Sequence, residues 1–210
     1  MFTDLQLVAS VVAYLDQGVR FLHLISVAVG FGTVISTDIL SLSKLDQPVT
    51  GEYRRGLEIA HGVIVTAFVV AWATGLALVW LKTGFDPAQM TVKLWVKLAV
   101  VSQLTLTAYG VKRLVMPILR FAEGQSLVKA PRGDKIIMAI CAGLSIAGWS
   151  TALTLGGLAA AATMPGWLLI WSVAAAHVIA VTLAVKVACF VHNRVNCPKR
   201  RFALQNIRGY

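Results

Sequence analysis

The chain has 210 residues, of which 58% are hydrophobic and only 13% charged, with a mean hydropathy of +0.76. A soluble domain carries about 25% charged residues, so this composition argues against a soluble enzyme, a disordered chain and a secreted disulfide scaffold. The formal net charge of +10 suggests nucleic acid only if the cations do not serve membrane topology.

Residues 4–16 come first. Leu5, Val8, Val12 and Leu15 share one helical face with Asp4 and Asp16 off it, the pattern of a helix lying in the membrane interface. Residues 1–18 are therefore expected to form an interfacial N-terminal helix. A secretory signal peptide is not expected, because the first ten residues hold an acid and no basic region.

A membrane helix needs about 20 mostly apolar residues. Five stretches qualify, at 21–43, 57–81, 94–118, 136–161 and 167–192. The connections carry Pro48 and Gly51, then Gly84 and Pro87, then Gly124, Pro131 and Gly133, then Pro165 and Gly166, the usual residues of loops. The expected fold is all-α: a five-helix integral membrane bundle over 19–195, with a basic tail at 196–210. No internal repeat or second domain stands out.

Orientation follows from the cations. Lys44, Arg54, Arg55, Arg120, Lys129, Arg132 and Lys135 fall on one side, with Arg194, Lys199, Arg200, Arg201 and Arg208 of the tail. The other side has only Arg20, Lys82 and Lys93. This predicts an N-terminus outside and a C-terminus in the cytoplasm. Trp80, Trp95 and Trp167 fall at the outer ends, where an interfacial aromatic belt belongs. The cations are thus topology determinants that also suit anionic lipid headgroups, and a nucleic-acid partner is not expected. The bilayer is the expected partner, and a bacterial inner (cytoplasmic) membrane the expected location.

Ionisable groups inside spans cost about 2.5–3.5 kcal/mol when charged at mid-membrane, so each asks for a reason. All four histidines, His23, His61, His177 and His192, fall within or at the end of a span. His23 and Lys97 lie near the outer edge, and His177 is about 15 Å deep at 1.5 Å per residue. His61 and His192 lie toward the cytoplasmic side with Glu58 and Asp38. Imidazole is a common axial ligand of haem iron, and helix bundles build cofactor sites from facing helices. His23 and His177 are the expected iron ligands, with His61 and His192 a second pair. The competing reading is that each histidine hydrogen-bonds a neighbouring helix. His23, Val27, Gly30 and Val34 share one face of span one, and Gly30 and Gly32 offer room for a macrocycle.

Other patterns carry less. Glu58 and His61 form one E-x-x-H pair, but a di-iron site needs a second pair and two more carboxylates. No H-E-x-x-H zinc motif occurs. Glu58 is expected to be solvated or to pair with Arg54 or Arg55, and Asp38 to take protons or meet a cation at the interface. Lys186 is placed to snorkel, and five spans argue against a retinal protein. Ala139, Gly143, Ala147 and Thr151 form a small-residue ridge on span four, suited to packing within the bundle or between subunits. Cys141 and Cys189 read as small buried residues, and three cysteines make no disulfide framework or Cys-rich metal site.

Two segments resemble a known family. Phe21-Leu22-His23-Leu24-Ile25-Ser26 opens span one and Leu94-Trp95-Val96-Lys97-Leu98 opens span three. This histidine and this W-x-K-L start resemble the HemJ-type protoporphyrinogen oxidases and the related CopD-like membrane proteins, over residues 20–115. Arg54-Arg55 and Gly75-Leu76-Ala77-Leu78 also fit. The resemblance implies a b-type haem (haem b), with the family's histidine and lysine at His23 and Lys97. HemJ-type proteins usually have four spans, and spans four and five here, with His177 and His192, lie outside the resemblance.

The leading expectation is a membrane b-type haem protein in electron transfer, between a quinone and a redox partner protein. Lys97 would neutralise a haem propionate or donate a proton. The alternatives are a HemJ-like porphyrinogen-oxidising enzyme, a CopD-like metal or ion transporter, and a non-catalytic anchor subunit, any of them as a homo-oligomer.

Overall fold

The computed structural model describes residues 2–158 and 163–195. The basic tail at 196–210, with Cys197, lies outside the described residues. The described residues are all-helical. Helix α1 spans Phe2–Ser43 and α2 spans Gly51–Thr83. Helix α3 (Val92–Gly110) continues through a π turn at Val111–Val115 into the short α4 (Met116–Phe121). Helix α5 spans Arg132–Gly157 and α6 spans Gly166–Val195. Three-residue 3-10 turns occupy Pro87–Gln89 and Leu127–Lys129.

Five of these stretches are long and apolar enough to cross a membrane: Ser10–Ser43, Gly51–Thr83, Val92–Phe121, Arg132–Gly157 and Gly166–Arg194. In hydrocarbon every backbone N–H and C=O needs an internal partner, and a helix supplies one. Hydroxyls in α1 are satisfied the same way. Thr33 donates to Val29 O at 2.8 Å, Ser36 to Gly32 O at 2.8 Å and Thr37 to Thr33 O at 2.9 Å. Helix α1 is one unbroken helix, so residues 2–18, read above as interfacial, run directly into the first span.

Local chemistry sets the helix ends. Thr50 caps α2 by accepting from Tyr53 N at 3.1 Å, and Gly84 closes it in the left-handed region with φ 56°. Thr91 caps α3 by accepting from Leu94 N at 3.3 Å. Pro117 has no N–H, and its ring would meet the carbonyl of Arg113 in a regular α-turn. The ladder widens just before it, and Met116 N–H bonds to Val111 O five residues back.

The loops divide the bundle into two ends. At one, Val49 N donates to Gln125 O and Gly124 N to Val49 O, both at 2.9 Å, joining the first and third loops. This arginine-bearing end covers a small core of Val49, Tyr53, Met116, Leu119 and Leu127. At the other end a Cβ on Gly166 would meet Val92 side-chain atoms at 3.1 Å, which places the starts of α3 and α6 side by side. Trp80, Trp95 and Trp167 stand there with 60%, 50% and 66% of their surface exposed, as the aromatic belt requires.

Between the ends lies an apolar waist. Trp149 of α5, 3% exposed, is its centre. Its ring fills the hollow at Gly30, and Phe68 of α2 meets it edge-on at 6.1 Å between centroids. Val27, Val34, Val100 and Leu104 pack around it. A Cβ on Gly143 would lie 2.9 Å from Val181 Cα, so α5 touches α6 there backbone to backbone. The small-residue ridge therefore includes a packing contact inside the bundle.

Candidate functional site

His23 sits on the bundle-facing side of α1, two turns from Gly30. Its Nδ1 is 2.9 Å from Thr74 Oγ1 on α2. The Thr74 hydroxyl has one proton, and the 2.6 Å contact to Val70 O takes it. Nδ1 therefore donates to Thr74. The Nε2 lone pair is left for a proton or a metal. Gly75 makes this approach possible, since a Cβ there would touch His23 Cε1 at 3.4 Å.

Lys97 of α3 faces the same place. Its charge acts on His23, and the charges of Lys93 and Lys82 act on Lys97 in turn. These groups come from α1, α2 and α3. His23 and Lys97, both chosen from sequence, lie within electrostatic range of each other. Thr74 was not foreseen from sequence. The one signal for it is a threonine in span two at a depth that matches His23.

His177 is placed differently. Its Nδ1 donates to Val173 O of its own helix at 2.8 Å. Helix α5 stands between α1 and α6, with Trp149 against Gly30 on one side and Gly143 against Val181 on the other. The geometry does not bring His23 and His177 to one site. The space anticipated beside Gly30 is occupied by Trp149, while Gly32 opens onto a groove between α1 and α2. That groove holds about 520 Å³ and a second, beside Leu22 and Ser26, about 540 Å³.

The inner histidines also part. His61 lies within range of the Lys112 charge on the π turn. The Nζ of Lys135 donates to Val128 O, and to His192 Nδ1 at 3.4 Å. Lys135 is only 6% exposed and stitches α5 to the third loop and to α6. Asp38 lies farther along the face of α1 that carries Val27 and Val34, and its Oδ2 is buried with no hydrogen-bond partner among the described residues. Nearby Tyr53, within range of the Asp38 charge, donates from its hydroxyl to Ser41 Oγ at 2.9 Å.

Glu58 pairs with Arg54 at 2.7 Å, as expected, and also with Arg120 at 3.3 Å. Arg54 reaches Glu123 of the third loop at 3.4 Å. Lys186 is exposed and Cys141 buried, while Cys189 is half-buried with Arg132 Nη2 at 3.9 Å from its sulfur. Among the described residues no three His, Cys, Asp or Glu side chains converge on a point that would hold a metal ion. A haem needs no such triad, because its porphyrin supplies four iron ligands and the protein only axial ones. On donor chemistry His23 fits an axial ligand.

No family model, curated protein or solved structure matches the chain.

Proposed function

We propose that the chain is a membrane-embedded b-type haem protein that passes electrons between a quinone and a partner protein, with His23 as the residue that would hold the haem iron. One observation carries this reading: the His23 ring lies 2.9 Å from Thr74 through Nδ1, and the Thr74 proton is taken by Val70 O, an arrangement that favours the tautomer with its lone pair on Nε2. A hydrogen bond from Nδ1 orients a ligating imidazole and raises its basicity. When bound, the haem supplies one-electron chemistry. The chain's own residues do the rest. Thr74 and Gly75 hold the ring, Lys97 places a cation for a propionate, and the Trp149–Phe68 waist keeps water from the middle of the bundle.

The N-terminus is placed outside and the C-terminus in the cytoplasm, on the strength of the cation asymmetry. The tryptophan-bearing end, with His23, then faces the outside. A second reading, a HemJ-like porphyrinogen-oxidising enzyme, is favoured by the electrostatic range between His23 and Lys97, the two positions that the resemblance pairs.

The test is an absorption spectrum of protein produced under haem-replete conditions, oxidised and then reduced with dithionite. A Soret band that His23→Ala abolishes or shifts, and His177→Ala leaves in place, is the expected result. Folded protein with no Soret band overturns the proposal. A spectrum unchanged in His23→Ala removes the ligand and keeps the haem. Conversion of protoporphyrinogen to protoporphyrin by the purified protein would select the second reading.

A further inference from the structure

Asp38 is an acid inside a span with nothing to pair with. It belongs to the stretch Ser10–Ser43 and lies about 8 Å inside its end at 1.5 Å per residue. Among the described residues its carboxylate has no hydrogen bond or ion pair, and Oδ2 is buried. Val34, one turn earlier on the same face of α1, belongs to the waist. Ser41 follows Asp38 by three residues, a spacing that puts the two side by side on a helix. The Tyr53 hydroxyl of α2 donates to Ser41 Oγ at 2.9 Å, and Tyr53 belongs to the small core under the loops. The carboxylate therefore lies where two apolar clusters meet.

No charge around it serves as its counter-ion. Lys44 Nζ stands over the Tyr53 ring, 5.5 Å from the centroid. On α2, Arg54 and Glu58 hold each other at 2.7 Å, while Glu52 and Arg55 are exposed. On α5, Lys135 holds Val128 O and His192, and Cys141 is a buried thiol. A carboxylate buried without a partner is costly, and such a group neutralises instead. A route for the proton is present. Ser41 Oγ accepts from Tyr53, and its own hydroxyl proton has no acceptor among the described residues.

We infer that Asp38 is a proton-binding site, occupied at neutral pH and filled from the arginine-bearing end through the hydroxyls of Tyr53 and Ser41. Filling takes three transfers. Ser41 gives its proton to the Asp38 carboxylate, Tyr53 gives its own to Ser41, and the Tyr53 oxygen takes one from water. Release runs the same steps in reverse, so both hydroxyls are restored and only the carboxyl gains or loses a proton. Ionisable side chains inside spans mark proton relays. This inference does not depend on a haem at His23.

Infrared spectroscopy of the full chain in phosphatidylcholine vesicles tests it, because a protonated carboxyl absorbs apart from a carboxylate. At neutral pH a carboxylic C=O band is expected that is lost in Asp38→Asn and kept in Asp46→Asn. The band should shift when the wild-type chain carries 13C-labelled aspartate. Asp38→Glu, which keeps a carboxyl, should keep a band that no longer shifts with the label. Raising the pH should remove the band, by about 10-fold per pH unit beyond its midpoint. After a pH jump the band should respond several-fold more slowly in Tyr53→Phe and Ser41→Ala than in the wild type. It should respond at the wild-type rate in Tyr109→Phe, which alters an exposed ring. An Asp38 that is ionised at neutral pH overturns the inference. So does proton exchange at the wild-type rate in both Tyr53→Phe and Ser41→Ala.

Discussion

At the arginine-bearing end, Glu58 holds Arg54 and Arg120, Glu123 holds Arg54, and two loops exchange backbone hydrogen bonds across Val49. At the tryptophan-bearing end, Lys97 lies within electrostatic range of His23, Lys93 and Lys82. The arginine-bearing end has the larger excess of cations over acids, yet its ion pairs and backbone bonds join the loops. The other end instead holds the His23 ring on Thr74. Ligand chemistry is therefore expected at His23, and rigidity where the loops are closed by ion pairs. The apolar waist keeps the two apart.

Removing the waist is the most severe way to break this division. Trp149→Ala deletes a side chain that touches Gly30 and Phe68 and leaves a cavity, for an expected loss of about 3–5 kcal/mol. Reversible unfolding in mixed micelles would measure it. A loss under about 1 kcal/mol would mean that the waist does not hold the two ends in register. Next in size is a pair of alanines two residues apart. Gly30→Ala forces a methyl into the Trp149 ring and should cost about 1–3 kcal/mol. Gly32→Ala meets nothing within 4 Å and should be neutral or stabilising by up to about 1 kcal/mol, since alanine is the better helix former. Equal effects at the two positions would contradict the packing of Gly30 on Trp149.

The contrast between these glycines shows where the sequence stops being legible. Hydropathy alone located five spans to within a few residues at most ends, because a bilayer demands length and apolarity whatever the packing. The shared face of His23, Val27, Gly30 and Val34 was also readable, since 3.6-residue periodicity puts them together. What fills the hollow at Gly30 was not. Gly30 and Gly32 look alike in a list, and only the tertiary position of Trp149, more than a hundred residues later, separates them. The partner of His23 was hidden for the same reason. Periodicity places a residue on its own helix but not against a threonine on the next, and nothing in it shows that α5 stands between His23 and His177.

Thr74→Val sharpens the comparison at the tryptophan-bearing end. Valine keeps the shape but removes the acceptor for His23 Nδ1, at an expected cost of about 1 kcal/mol. The more telling readout is the imidazole itself. Nitrogen NMR of labelled histidine should show the wild-type ring protonated at Nδ1 and the variant shifted toward the other tautomer. A ring that already favours Nε2 protonation in the wild type would remove the reason for regarding that nitrogen as free to ligate.

Glu58→Gln gives the smallest effect and addresses the closed end. The carboxylate is about one-third exposed, and the pairs it makes are partly in water. Exposed ion pairs contribute about 0.2–1 kcal/mol, so the unfolding midpoint should fall only slightly. One feature still makes the measurement decisive. The loss should shrink as salt rises, because screening weakens the wild-type pairs and not the amide. A loss that stayed the same at high salt would mean that Glu58 acts through packing and not through its ion pairs, and the arginine-bearing end would not be held together by charge.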